Sequence, residues 1–388
     1  MQERLVYLDH GATSPLREEV LEAMLPFLKE RYGNPSSLHS PGRVIRQAVE
    51  EAREKTALAL GAEPDEIFFT SGGTESNNIA IRGAARARRS KGHLITTSIE
   101  HHAVLDVCKG LAEDGFSVTY LPVDRYGLVS LEMVEKALRP DTFMISIMMA
   151  NNEVGTIEPV AEIGALARER GVLFHTDAVQ AVGQIPLDLR ELKIDLLTLS
   201  AHKFNGPKGV GALYVRRGTP VAPLYDGGGQ EKALRPGTEN VPGIVGLARA
   251  LELAVEELPE KTRHLLALRR RLIEGLLAID DTVLNGHPTA RLPGNVNVSF
   301  NYIEGEALLL GLDLEGIAAS SGSACTAGSP EPSHVLLAMG LGHQLARGSL
   351  RLTLGRENSD SCLDHLFSVL PPLVERLRKM SALYPGQS

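Results

Sequence analysis

The chain has 388 residues with a formal net charge of −8, and 23% of its residues are charged. This length exceeds the size at which a single core stops growing, so it predicts one large domain and a smaller one. The acidic balance excludes a general nucleic-acid binder, and no apolar run is long enough to span a bilayer, so we expect a cytoplasmic enzyme.

The first two thirds of the chain alternate short strand-like runs with amphipathic stretches. Runs such as "EIFFT" and "GALYV" predict strands, while "EEVLEAMLPFLKERYG" has the spacing of a helix with one apolar face. This alternation is typical of an α/β sheet with covering helices. The predicted strands span residues 66–70, 93–98, 117–123, 142–150, 172–177, 195–200 and 211–215.

The stretch "TSGGTESNN", residues 70–78, follows a predicted strand and precedes a predicted helix. Gly73 and Thr74 would offer N–H groups and a hydroxyl at the helix N-terminus, where an anion such as phosphate is favoured. The stretch lacks the Gly-Lys-Ser/Thr ending of a Walker A loop. A plain strand-to-helix turn with a capping threonine is the alternative interpretation.

Polar side chains also follow the next two predicted strands. "SIEHHAVLD" supplies His101 and His102, and "MMANNEVGT" supplies Asn152. A histidine at a strand end can stack on a cofactor ring, although a structural histidine is the more common case. An asparagine in a strand-to-loop turn needs no functional explanation.

Asp177, Gln180 and Lys203 belong to two consecutive strand-to-helix units. Asp177 ends an apolar strand, and Lys203 follows "TLSAH" at the end of another. Ligands of open α/β sheets bind at the carboxyl ends of the strands, so we expect both residues at one edge. A pyridine cofactor needs a lysine for its aldehyde, a carboxylate for its ring nitrogen and an anion site for its phosphate. The sequence offers all three, although Asp177 alone could be a helix cap.

Beyond about residue 258 the pattern changes to long charged helices and further short strands, which predicts a smaller α+β unit. Cys325 lies there in "SSGSACTAGSPEPSH", among small residues with Gly and Pro. This setting favours an exposed, reactive thiol over an inert packed one. Cys108 in "VLDVCKGLA" and Cys362 in "SDSCLDHLF" receive no role, and the spacing of the three cysteines predicts neither a metal site nor a disulfide framework.

Taken together, the sequence resembles the NifS/IscS-type cysteine desulfurases of the class V aminotransferase group. The resemblance covers essentially the whole chain and depends on many motifs in the family's order. These include "YLDHGATSP", "GNPSSLHSPG", "TSGGTESNN", "EHHAVLD", "NNEVGTIEP", "DAVQAVGQIPLDL", "SAHKFNGPKGVGALY", "RPGTEN", "GNVNVSF", "SSGSACTAG" and "RLTLGREN".

The resemblance implies the fold of pyridoxal-phosphate-dependent transferases of fold type I. That fold has a large domain with a mainly parallel seven-stranded sheet and a smaller α+β domain. We expect residues 13–258 to form the large domain. Residues 1–12 and 259–388 would form the small domain, which carries the loop of the catalytic cysteine.

The resemblance also implies roles for individual residues, with no metal among them. Lys203 would be the Schiff-base lysine, Cys325 the sulfur-accepting nucleophile and His101 a ring-stacking residue that assists proton transfer. The implied pyridoxal 5'-phosphate contacts are Gly73, Thr74, His101, Asn152, Asp177, Gln180, Ser200, His202, Lys203 and, from the neighbouring subunit, Thr238. The implied substrate contacts are Asn34, Asn152 and Arg351.

By resemblance, the reaction would convert L-cysteine to L-alanine with transfer of sulfur to a persulfide on Cys325. A sulfur-acceptor or iron–sulfur scaffold protein would then receive the sulfur, for cluster assembly or thiolation, and the enzyme would be an obligate homodimer. Two alternatives remain open. A related pyridoxal-phosphate lyase, such as a selenocysteine lyase, or an aminotransferase would keep Lys203 without needing Cys325. A non-enzymatic sulfur relay would keep Cys325 without needing Lys203.

Overall fold

A seven-stranded sheet forms the centre of the computed structural model, which describes residues 5–321 and 332–385. Its strands are β2 (Ile67–Thr70), β3 (His93–Thr97), β4 (Ser117–Leu121), β5 (Thr142–Ser146), β6 (Leu173–Asp177), β7 (Leu196–Ser200) and β8 (Gly211–Val215). Their order is β2-β8-β7-β6-β5-β3-β4, and β8 alone runs antiparallel to both of its neighbours. The expectation of a mainly parallel seven-stranded sheet is confirmed.

The strand expected over residues 142–150 is shorter than predicted, because β5 ends at Ser146. Beyond that point one edge of the chain still pairs with β6, through a bond from Met149 N–H to the carbonyl of Asp177 at 2.9 Å. On the other edge the side-chain carboxyl group of Glu100 accepts the N–H of Met148 at 3.0 Å. At this end of the sheet, where the polar residues of the site lie, the buried side chain of Glu100 therefore takes the place of strand β3 as hydrogen-bond acceptor.

Helices cover both faces of this sheet. Several have clear local signals: α2, for example, starts with the ring of His39 accepting the N–H of Gly42 and ends at Gly61 with a φ of 70°. The helices of this part of the chain are α1 (Glu18–Lys29), α2 (Ser40–Leu60), α3 (Gly73–Arg86), α4 (His102–Glu113), α5 (Leu131–Ala137), α6 (Val160–Arg170) and α7 (Val241–Glu256).

A second hydrophobic core lies in the C-terminal third. It is built on a three-stranded antiparallel sheet in the order β12 (Ser349–Thr353), β10 (Asn295–Phe300) and β9 (Thr282–Asn285), and the N-terminal side chains Val6 and Leu8 belong to it. Its elements are β1 (Val6–Tyr7), α8 (Leu258–Leu277), β9 (Thr282–Asn285), β10 (Asn295–Phe300), α9 (Gly305–Leu314), β11 (Ile317–Ala318), β12 (Ser349–Thr353) and α12 (Asp360–Met380). Two short helices, α10 (His334–Ala338) and α11 (His343–Arg347), pack instead in a separate cluster with Ile99, Met148 and Val154.

The chain passes from the second core to the large sheet in a short N-terminal turn. Asp9 forms an isolated bridge with Thr353 beside β12, and Ser14 bonds to the carbonyl of His202 just beyond β7. The two cores support a division at residue 258, with residues 1–12 joining the C-terminal part, and we propose this division as the domain boundary. Within the described residues, no helix has the length and apolar character needed to cross a membrane.

Candidate active site

A cavity of about 240 Å³ opens at the carboxyl ends of β5, β6 and β7, beside the N-terminus of α3. Nine of the ten residues expected to hold the cofactor line it, all except Thr238. The lining residues are Ala12, Gly73, Thr74, Asn77, His101, Ala103, Met148, Ala150, Asn152, Asp177, Val179, Gln180, Ser200, His202 and Lys203. Parallel strands bring these separate segments to one edge of the sheet, as the sequence pattern predicted.

Lys203 lies in a single 3₁₀ turn, Ala201–Lys203, that follows β7 directly. Its ammonium group donates to the carbonyls of Gly11 at 2.6 Å and Ala12 at 2.8 Å. The amide of Gln180 donates to the same carbonyl of Gly11 at 3.0 Å. The N-terminal turn therefore holds the lysine at the cavity wall, and the peptide carbonyls of that turn orient its N–H groups.

Asp177 ends β6 and is buried at the cavity. One carboxylate oxygen accepts the side-chain amide of Asn77 at 2.7 Å, and the other accepts the backbone N–H of Val179 at 3.0 Å. These two donors fix the orientation of the carboxyl group at the cavity, where it can accept the N–H of a pyridine ring.

The two histidines of the cavity are poor bases. Burial lowers the pKa of His101, with Asp177 acting in the opposite direction and Lys203 adding to the decrease. Burial, with Lys203 and Lys208, lowers the pKa of His202 to about 4. The Nδ1 atom of His101 accepts the N–H of Ala103 at 3.1 Å, so its neutral ring carries the proton on Nε2.

Arg351 lies on β12, nearly fully buried, and touches the cavity through Asn152. One terminal nitrogen donates to the carbonyl of Asn152 at 3.1 Å, and the other donates to the carboxylate of Asp9 at 2.8 Å. The Nε atom has no hydrogen-bond partner within residues 5–321 and 332–385. A buried guanidinium with a free donor is suited to bind an anion next to the cofactor cavity.

Besides Arg351, two expected site residues, Asn34 and Thr238, do not line the cavity. Asn34 is exposed, does not line the cavity, and its side-chain oxygen accepts the N–H of Ser36 at 2.9 Å. Thr238 is exposed and lies away from the cavity of its own chain. Cys325 lies outside the described residues. Described residues on either side of its segment adjoin the site, since Ser320 pairs with Arg351 and Ser333 donates to Glu153.

Sequence reasoning missed several residues that shape the site. Asn77 had a signal, because it stands one helical turn beyond Gly73 and so faces the same cavity. Gly11 and Ala12 act through backbone carbonyls, which no side-chain pattern reveals. Asp9 and Glu100 become relevant only through contacts with residues distant in sequence.

The cavity fits the pyridine cofactor predicted from the sequence. Gly73 begins α3 and lines the cavity, and a Cβ atom at that position would come within 2.8 Å of the side chain of Val179, so this close approach requires glycine. Ser200 lies next to Gly73, and His202, Asp177 and Lys203 line the same cavity. An anion site, a carboxylate and a lysine are the groups that such a cofactor requires.

The chain is similar along its whole length to known proteins. It is 58% identical to a cysteine desulfurase IscS of Methanosarcina thermophila over 100% of this chain and 96% of that protein. A solved "NifS-like protein" aligns with a TM-score of 0.91 and 44% identity, covering 96% of this chain and 100% of that one. The structure described as "SspA in complex with cysteine" aligns with a TM-score of 0.80 and 42% identity, over 90% of this chain and 98% of that one.

The family described as "Aminotransferase class-V" matches residues 6–366. That span contains the lysine, the carboxylate and the anion site of the cavity. With this match and these relatives, the chain belongs to the aminotransferase class-V family and is a pyridoxal-phosphate-dependent enzyme.

Proposed function

We propose that the protein is a cysteine desulfurase that converts L-cysteine to L-alanine and transfers the sulfur to Cys325. The observation that carries the proposal is one cavity that joins Lys203 and Asp177 and is bordered by the buried Arg351. The similarity to proteins named cysteine desulfurase supports the choice of substrate. The protein named SspA, whose structure contains cysteine, supports it independently.

When bound, pyridoxal phosphate supplies an electron sink that weakens bonds at the substrate's α- and β-carbons. Lys203 would hold the cofactor and, once free, would move the substrate's α-proton at its Nζ atom. Asp177 would face the ring nitrogen, and His101 would lie against the ring. The phosphate would be held by Gly73, Thr74, Ser200 and His202, and the ring and its substituents would be contacted by Gln180 and Asn152.

The sulfur step needs a nucleophile, which we assign to Cys325. Its thiolate attacks the substrate sulfur, so an S–S bond forms as the C–S bond breaks. The electron pair of the C–S bond remains on the substrate's β-carbon, which gains a proton to give L-alanine. The balance is L-cysteine plus a thiol giving L-alanine plus a persulfide, without an external oxidant or reductant.

The first test measures alanine and sulfide together after the purified protein is incubated with L-cysteine and a thiol reductant. Cys325→Ser should keep its full content of pyridoxal phosphate but lose about a hundredfold or more in turnover, because a serine hydroxyl is not ionised near neutral pH. Persulfide, detected by mass spectrometry, should disappear with it. Cys362→Ser, on helix α12, is the matched control and should keep wild-type activity.

Alanine released by Cys325→Ser at the wild-type rate would contradict this assignment. It would favour a lyase of the selenocysteine lyase type, in which the cofactor residues suffice. Burial raises the pKa of the Cys108 thiol to about 12, so we do not expect a persulfide on that residue. A persulfide found there would also contradict the assignment to Cys325.

We also propose that the active unit is a homodimer in which Thr238 completes the cofactor site of the partner subunit. In support, Thr238 is exposed and does not line the cavity of its own chain. The competing arrangement has Thr238 acting within its own chain, since the nearby Arg235 bonds to Glu75 of α3 at 3.2 Å.

Subunit exchange between Lys203→Ala and Thr238→Ala proteins separates these two arrangements. If Thr238 acts across the interface, each heterodimer contains one intact site, so random exchange of equal amounts should restore about a quarter of all sites. Activity should rise with exchange time while each variant alone stays impaired. No gain on exchange, with Thr238→Ala still impaired, would place the residue in its own chain's site.

The acceptor of the sulfur is proposed to be a protein, either a scaffold for iron–sulfur clusters or a carrier for thiolation, in the cytoplasm. Relatives named IscS support this assignment. Cys108 and Cys362 are free thiols, as is usual in a reducing compartment.

A further inference from the structure

Residues 9–13 form a tight turn, here called the Asp9 turn, that contacts both cationic residues of the site. The carbonyl of Asp9 accepts the N–H of Ala12 at 3.0 Å and the hydroxyl of Tyr7 at 3.1 Å. The N–H of Gly11 donates to the hydroxyl of Thr353 on β12 at 2.7 Å. The turn is thus fixed both by its own bonds and by the strand that carries Arg351.

The side chain of Asp9 makes one contact with Arg351, at 2.8 Å from carboxylate oxygen to terminal nitrogen. The second terminal nitrogen is held by the carbonyl of Asn152 at 3.1 Å. A guanidinium group has five N–H donors in a planar fork. Two of these N–H donors, one on each terminal nitrogen, are therefore already used. The Nε atom is buried and has no partner among the described residues.

A carboxylate binds arginine best through two parallel N–H donors. With Asp9 and Asn152 occupying one N–H on each terminal nitrogen, the edge that remains for such a pair contains Nε and one terminal nitrogen. The same contacts prevent rotation of the group, because they hold it from two separate loops. The unpartnered Nε atom therefore points to a ligand with two acceptor oxygens.

We infer that Asp9 is a positioning residue that orients Arg351 so that its Nε edge receives the substrate's α-carboxylate. This inference rests on the proposed function for the identity of the substrate. It differs from a purely structural ion pair between the N-terminal segment and β12, which would affect stability and leave carboxylate recognition unchanged. It also differs from competition, in which Asp9 would block Arg351 until substrate displaces it.

The test titrates the pyridoxal-phosphate-loaded protein with L-alanine and with L-alaninamide, and follows the cofactor's absorbance. The two ligands share the amine and the side chain, but only L-alanine has a carboxylate. Asp9→Ala should weaken binding of L-alanine by about tenfold or more, the usual effect of losing a hydrogen bond to a charged group. Binding of L-alaninamide should change less than about twofold. Asp9→Asn, which keeps an acceptor oxygen, should stay close to wild type.

Cofactor content and the unfolding temperature are measured on each variant. If Asp9→Ala does not fold, Asp9→Leu keeps the bulk of the side chain and removes both acceptors. Equal weakening of both ligands, or no weakening of either, would overturn the inference in favour of a structural ion pair. Tighter binding of L-alanine by Asp9→Ala would overturn it in favour of competition.

The same titration distinguishes failure of the inference from failure of the proposed function. A wild-type protein that forms no alanine from L-cysteine is not a desulfurase, and the comparison of L-alanine with L-alaninamide still tests Asp9. A wild-type protein that binds L-alanine no better than L-alaninamide would overturn the role of Asp9 itself, whatever the turnover of L-cysteine.

Discussion

At the scale of single residues, the site depends on how each charged group is held. Asp177 is buried at the cavity, and two N–H donors orient its carboxyl group there. The donor from Val179 belongs to the backbone, so it is kept in every substitution except one to proline. The donor from Asn77 is a side chain, so its contribution can be measured.

Asn77→Ala should lower kcat/KM by about tenfold to a hundredfold, because a hydrogen bond to a charged group is lost in a buried place. The cofactor should still attach to Lys203, since that residue is untouched. The neighbouring Asn78→Ala is the control: Asn78 is half-buried, does not line the cavity, and donates to the carbonyl of Thr74 at 2.9 Å, so its loss should cost less than about twofold. Equal losses in both variants would assign the effect to the start of α3 instead of Asp177.

At the scale of elements, the ends of the strands at the site could be predicted because each is a short apolar run that stops at a polar residue. The apolar run of β7 stops at Ser200, and the apolar run of β6 stops at Asp177. Parallel pairing of β6 with β7 then brings the two ends to one edge. The sequence therefore predicted the sheet, the position of the site and most of the residues that line its cavity.

Other parts of the site could not be predicted from the sequence, because they depend on contacts between segments that are far apart along the chain. The Asp9 turn meets Lys203 and Arg351, almost two hundred and more than three hundred residues further on. Beyond the early end of β5, the side-chain carboxyl group of Glu100 replaces a strand as acceptor for the N–H of Met148. No local pattern encodes either contact. For the same reason the roles expected for Asn34 and Thr238 stay predictions.

At the scale of the whole molecule, buried glutamates and buried histidines determine how the stability of the fold changes with pH. Burial raises the pKa of Glu100 to about 8, of Glu158 to about 8 and of Glu153 to about 7. Burial lowers the pKa of His175 to about 3 and, with Lys261 as a smaller cause, that of His10 to about 4. The histidines lose their influence above pH 6.5, where they are largely neutral in the unfolded chain as well.

Between about pH 6.5 and 8 the buried carboxyl groups should therefore dominate, and stability should fall as the pH rises. In this window the folded protein holds protons that the unfolded chain, with ordinary carboxyl pKa values near 4.5, has already released. Each group contributes at most about 1.4 kcal/mol per pH unit. Glu158→Gln should flatten the slope of the unfolding temperature against pH, whereas the exposed Glu162→Gln on α6 should leave it unchanged. A Glu158→Gln slope as steep as that of the wild type would mean that this carboxyl group is ionised in the folded protein.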